Sequence, residues 1–257
     1  MKKKPLIIAS VIIATFIFII ITISSYKSNS SAQYNDISNP EIKPQQNEQD
    51  TIQKEVIKSA DNTSKSTIKN NNKILKQIES DIFLGSQNAP ITIIEYASLS
   101  CPHCAYFIRD AFPKLKSEYI DKGLVKFIFR DFPLNQPALV AGIIAKCHAN
   151  KNSEKYYNFL KILFKSQDSW AFDKDFIKKL EVVAKMDGIN KIEFDKCLER
   201  NDIQEEILKN RLIAAQELEI DSTPTFFING NKIGGYTDYL RMKNIIETEL
   251  KNINQNE

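Results

Sequence analysis

Four short apolar stretches stand apart in a chain otherwise patterned at helical spacing. Ile91 to Ala97 is the first, Leu124 to Arg130 the second and Thr225 to Ile228 the third. β-Branched and aromatic residues dominate them. The third enters a turn at Asn229-Gly230-Asn231, from which Lys232-Ile233 returns as the fourth strand. Between the first two, residues 102–120 read as a helix, kinked where Pro113 removes a backbone N–H from its interior. Between Gln136 and Glu219 strand signals cease and helix signals follow one another. Pro137 opens a helix that Asn150 ends, Ser153 caps one through Lys165, and Asp173 caps a third with Gly188 just past its end. Helices over 192–200 and 203–218 complete the block, and a last one runs from about Asp238 to Leu250. This order predicts an α/β domain with a mixed sheet and a helical insertion at about 136–219.

Ahead of that domain the pattern changes twice. Lys2, Lys3 and Lys4 are followed by an uncharged stretch from Pro5 to Tyr26, within which Leu6 to Ile23 is apolar apart from Ser10, Thr15 and Thr22. Basic then apolar is an export signal, and this run also reaches the roughly 18 residues that span a bilayer. Residues 1–26 are therefore read as either a cleaved signal peptide, with a weak cleavage point after Ser30-Ser31-Ala32, or a retained signal anchor. In both cases the lysines stay cytoplasmic and the rest lies outside the inner membrane, which places the domain in the periplasm, soluble or tethered. Residues 27–73 are rich in Ser, Asn, Gln and Lys, contain Pro40 and Pro44, and sustain no period. They read as a disordered linker, reaching roughly 40 Å as a coil. Residues 74–257, about 180 of them, are enough for one domain with its own core.

Charge narrows the function. A formal net charge of +3, with Lys and Glu interspersed, offers no nucleic-acid stripe and no polybasic membrane patch beyond the first lysines. Membrane contact is thus expected only through an uncleaved N-terminal segment. The 4 cysteines make two pairs, in a compartment that oxidises thiols.

Cys101-Pro102-His103-Cys104 follows the first strand directly and opens the helix after it. Two thiols at this spacing suit either redox exchange or zinc, and the strand-to-helix setting favours exchange. At the helix start Cys101 meets unpaired N–H groups and the positive dipole end, which favour its thiolate. Cys101 is therefore the expected exposed, low-pKa nucleophile, and Cys104, one turn further in, its resolving partner. His103, one of only 2 histidines, can donate a hydrogen bond or charge to that thiolate. Glu95, six residues before Cys101, is either a buried acid that moves the proton of dithiol chemistry or an ordinary edge-strand glutamate. Thr223-Pro224 precedes a strand, where either a cis peptide and a free Thr223 backbone for an extended peptide, or a plain strand-opening proline, would fit. Cys147 and Cys197 lie among apolar helix neighbours; a structural disulfide is the simplest reading, with two buried free thiols as the alternative. A zinc site drawn from Cys101, Cys104, Cys147 or His148, and Cys197 would need the insertion to fold over the dithiol.

Taken together, Glu95-Tyr96-Ala97, Cys101-Pro102-His103-Cys104, Phe129-Arg130-Asp131-Phe132-Pro133-Leu134 and Thr223-Pro224-Thr225-Phe226-Phe227-Ile228-Asn229-Gly230 resemble the DsbA-like periplasmic thiol:disulfide oxidoreductases. The resemblance extends from about Ile82 to Leu250. It implies a thioredoxin fold with an inserted helical domain, Cys101 as nucleophile, Cys104 as resolving thiol, His103 tuning the potential, Glu95 as buried acid and Pro224 in cis. It also implies reduced exported proteins as substrates, a DsbB-like quinone-linked membrane reoxidant, and neither cofactor nor metal. An extra cysteine pair in the helical domain is seen in some members. Proline-histidine between the cysteines is the dipeptide of the strong oxidases, whereas threonine before the cis-proline resembles the isomerases; oxidation and isomerisation or reduction both stay open. The linker offers no pattern for a dimerisation domain of the isomerase type, so a monomer is expected.

Overall fold

The computed structural model describes residues 73–255. The proposed signal or anchor and nearly all of the linker lie outside the described residues. Five strands form one mixed sheet: β1 (Phe83–Leu84), β2 (Ile91–Ala97), β3 (Val125–Asp131), β4 (Thr225–Ile228) and β5 (Asn231–Gly234), in the order β1-β3-β2-β4-β5. β2 and β3 run parallel; β1 on β3, β4 on β2 and β5 on β4 run antiparallel. The four strands read from the apolar pattern are present. β1 has two residues, too short for any periodicity to show.

The parallel pair needs a crossover, which a helical run over 102–120 (α1) supplies. It alternates α turns with wider π turns at Phe107–Ala111 and Lys116–Ile120. Pro113 cannot donate to the preceding turn, so the ladder widens just before it, with the Phe112 N–H reaching the Phe107 carbonyl. After β3 come α2 (Gln136–Ala149), α3 (Ser153–Lys165), α4 (Phe176–Met186), α5 (Lys191–Leu198) and α6 (Asn201–Glu217), all inserted before β4; α7 (Tyr239–Asn254) closes the domain. Two predicted caps are corrected. The helix opening at Ser153 is capped by Asn152, whose side chain accepts from the Lys155 N–H. Asp173 instead accepts from the Asp175 N–H, which closes a turn ahead of α4. Asn135, Asn190 and Asp238 cap α2, α5 and α7 in the same way as Asn152.

Packing follows from β2, which is central and apolar on both faces. Toward α1, α3 and α7, Phe107 meets Phe226 at 4.7 Å and Phe112 meets Phe127 at 5.0 Å between ring centres, edge-tilted as aromatic quadrupoles prefer. On the other face Ile94, Tyr96, Ile128 and Phe227 pack beneath Ala214 of α6 and Leu218, which ends it. A buried ion pair ties the entry segment to this sheet: Arg130 grips Asp81 through two hydrogen bonds of 2.9 and 2.8 Å and donates a third, of 2.8 Å, to the Tyr96 hydroxyl. Where β3 ends, Gly142 of α2 lets the helix lie against Asp131; a Cβ at 142 would stand 2.6 Å from an Asp131 carboxylate oxygen. Among the described residues no helix is long and apolar enough to cross a membrane.

Candidate active site

β2 ends at Ala97 and the chain turns through Ser98–Cys101 into α1. The Cys101 N–H donates to the Ser98 carbonyl at 3.0 Å, and the Ser98 hydroxyl accepts the N–H groups of Ser100 and Leu134. Cys101 is thereby the N-cap residue of α1, with extended φ and ψ of −84° and 121°. At that position its Sγ faces the unpaired N–H groups of the first turn.

Cys101 and Cys104 are both free thiols and both buried, which corrects the expectation of an exposed Cys101. The cover comes from 122 residues downstream, where the Thr223 carbonyl accepts a hydrogen bond from the Cys101 Sγ at 3.3 Å. The Thr223–Pro224 peptide is cis and lies immediately before β4. The pKa of Cys101 falls from about 9 to about 5. The largest cause is a hydrogen bond from the Cys104 thiol to the Cys101 sulfur; burial opposes it, and Thr223 and the backbone N–H groups of Cys104 and His103 assist. The Thr223 hydroxyl is buried and has no hydrogen-bond partner. Cys104 is pushed the other way, well above the ordinary thiol range, chiefly by burial and then by its bond to Cys101. One helix turn thus holds two thiols of opposite disposition.

Glu95 sits on the central strand, not an edge, and is 0% exposed with neither carboxyl oxygen hydrogen-bonded. Burial, and then the charge on Cys101, raise its pKa well above the carboxylate range, so it is held protonated beneath the dithiol. The His103 contribution is from its backbone; its ring is exposed and lies edge-on to Tyr106 at 6.1 Å. Beside Pro102 a cavity of about 400 Å³ opens between α1 and α3, walled by Tyr106, Ile108 and Phe164 and rimmed by Arg109, Lys161 and Lys165.

Cys147 and Cys197 are bonded to each other, joining α2 to α5. Their sulfurs are therefore not available to the zinc arrangement that would have drawn them to the dithiol. Two residues of the site were not singled out from the sequence. Ser98 ties the turn to the segment after β3, and Gln167, in the short 3₁₀ turn Gln167–Ser169 after α3, hydrogen-bonds the turn from the insertion. Both are ordinary polar residues, and the partners that give them their role, Leu134 for Ser98 and Leu99 and Cys101 for Gln167, lie 36 to 68 positions away, beyond any local signal.

A family model described as thioredoxin matches residues 76–248. The crystal structure of Wolbachia pipientis alpha-DsbA1 is 35% identical with a TM-score of 0.68, over 72% of this chain and 99% of that one. Disulfide bond formation protein D of Bacillus subtilis is 29% identical over 170 residues, 65% of this chain and 76% of that protein. A Rickettsia felis relative named "Putative protein-disulfide oxidoreductase" is 32% identical over 159 residues, 62% of this chain. The chain spans 56% of the length of that relative.

Proposed function

Because this chain belongs to the thioredoxin family, among its DsbA-like members, we propose that it is a protein thiol:disulfide oxidoreductase that passes a Cys101–Cys104 disulfide to reduced cysteines of exported proteins. A substrate thiolate attacks the Sγ of Cys101, a mixed disulfide forms, and the Cys104 sulfur leaves. Its high pKa makes it take up a proton, for which buried, protonated Glu95 is the adjacent donor. A second substrate thiolate then attacks the substrate sulfur of the mixed disulfide and expels Cys101 as its stable thiolate. Two electrons pass from the substrate dithiol to the Cys101–Cys104 pair, and the substrate leaves with a disulfide.

The observation that carries the direction is the depressed pKa of Cys101, about 5. A thiolate stabilised in the reduced protein makes the disulfide the less stable partner and hence an oxidant. Thr223 and Pro224 fit as the backbone against which an extended substrate lies, with its residues reaching the cavity beside Pro102. Cys147–Cys197 fits as a structural bridge, consistent with an oxidising compartment. The basic and then apolar N-terminus supports export to the periplasm, soluble or tethered, and the reduced enzyme then needs a membrane reoxidant of the DsbB-like, quinone-linked kind. A monomer carries all the groups of this mechanism.

Thr223 leaves room for a second reading, an isomerase or reductase on the same site, because threonine before the cis-proline Pro224 resembles the isomerases. The equilibrium of the Cys101–Cys104 pair against glutathione separates the two, together with oxidation of a dithiol peptide by the oxidised chain. A strongly oxidising poise and peptide oxidation lost in Cys101→Ala support the oxidase. A poise near that of thioredoxin, with insulin reduction as the main activity, overturns it.

A further inference from the structure

Gln167 is 4% exposed, belongs to the helical insertion, and hydrogen-bonds none of the insertion's own helices through its side chain. Its side-chain nitrogen donates to the Leu99 carbonyl at 2.7 Å and to the Cys101 carbonyl at 3.1 Å. Both partners are acceptors only, so the NH₂ end must face them, one hydrogen for each. These two carbonyls lie on either side of Ser100, the second within the dithiol motif itself. Cys101 also receives the Ala105 N–H on the same oxygen, so Gln167 and the first helical bond of α1 share one carbonyl. Gln167 is itself held firmly, because the Trp170 and Ala171 N–H groups both donate to its backbone carbonyl.

We propose that Gln167 is a positioning residue for the redox dithiol: by holding the Leu99 and Cys101 carbonyls it fixes the turn that aims the His103 and Cys104 N–H groups at the Cys101 sulfur. The insertion then contributes to the chemistry through one amide. N–H groups stabilise a thiolate only while they point at it, and Cys101 is an N-cap residue with no side-chain cap of its own to keep α1 in place. With the amide removed, the Leu99 carbonyl loses its partner in a buried turn and the Cys101 carbonyl keeps only the Ala105 N–H, so the turn is held less firmly. The reduced form, which depends on that alignment, suffers more than the oxidised form, in which the covalent bond to Cys104 sets the geometry.

This inference rests on the thiol:disulfide reading, and the test keeps the two apart. Gln167→Met keeps length and burial but removes both donors. Gln167→Asn keeps the amide on a stem too short to reach both carbonyls, and serves if the Met variant does not fold. Thiolate absorbance at 240 nm is titrated in wild type and variants, and each is equilibrated with glutathione. The expected result is a Cys101 pKa raised by about half to one unit, and a pair about three- to tenfold more readily kept as the disulfide, hence a weaker oxidant. Unchanged titration and glutathione equilibrium in the folded variants, with equal loss of stability in both redox forms, overturn the proposal and leave Gln167 a packing residue. A wild-type chain with no low-pKa thiol and no exchange with glutathione would sink the underlying reading instead.

Discussion

The pKa of Cys101 makes a quantitative claim about folding. An unfolded cysteine titrates near 9 and this one at about 5, so the reduced native state holds fewer protons than the unfolded chain at every pH between. A depressed native pKa adds stability that is fully present above the unfolded value and is lost as pH falls through the folded one. At 1.36 kcal/mol per unit, the contribution is about 0.4 kcal/mol at pH 5 and about 2.7 kcal/mol at pH 7, a gain of about 2 kcal/mol. Burial raises the pKa of Glu95 and Asp131, the latter to about 6, and such groups lose stability as pH rises. Their effect opposes that of Cys101 and must be subtracted. The perturbation is therefore Cys101→Ser, in which both acids remain while the thiolate is gone. Urea unfolding of wild type and Cys101→Ser is followed at pH 5, 6 and 7 under excess reductant. The wild-type stability minus that of the serine variant should rise by about 2 kcal/mol from pH 5 to pH 7. A flat or falling difference would show that the native site does not favour the thiolate, and the argument for an oxidising disulfide would fall with it.

Three further outcomes follow from the same geometry. Glu95→Leu removes a buried carboxyl with no partner and should stabilise the fold by about 1–3 kcal/mol while slowing peptide oxidation; destabilisation measured in urea would show that the carboxyl is satisfied after all. Asp81→Asn leaves the Arg130 charge buried without its partner and should cost about 3–5 kcal/mol, read as a lowered Tm; a change under 1 kcal/mol would mean that the segment around Asp81 is not held by that pair. Replacing Cys147 and Cys197 together by Ala opens a link across a sequence separation of 50 and should cost up to about 4 kcal/mol, with the Cys101 titration unmoved. A shifted titration would show that the bridge reaches the active site.

Much of this was legible in the chain because it is written locally. The runs at Ile91, Val125 and Thr225 declare strands through β-branched and aromatic residues, Pro137 and Asn150 bracket α2, and Pro113 marks where α1 widens. The cysteine motif and Glu95 could be placed because they lie at fixed distances along one strand-turn-helix unit. What escaped depends on contacts between distant segments. Burial of Cys101 comes from Thr223, on a loop that only the sheet order brings across. Arg130 reads as a strand-end cation until Asp81, 49 positions earlier, is folded onto it. Ser153 and Asp173 were plausible caps, but Asn152 took the first role and Asp173 closed a turn instead, since a cap is decided by one residue of register.

The chain has 1 tryptophan, Trp170, 0% exposed, whose ring N–H donates to the Leu163 carbonyl and whose backbone N–H donates to Gln167. The one tryptophan thus lies inside the insertion and none lies in the sheet, whose Tyr96 is not excited at the red edge of tryptophan absorption. Trp170 emission reports the surroundings of the insertion's core, while far-ultraviolet circular dichroism reports the whole domain. If the two unfolding curves coincide, insertion and sheet melt as one cooperative unit. If the fluorescence moves first, the helical block opens while the sheet stays folded, and the Gln167 contacts to the dithiol turn are released with it.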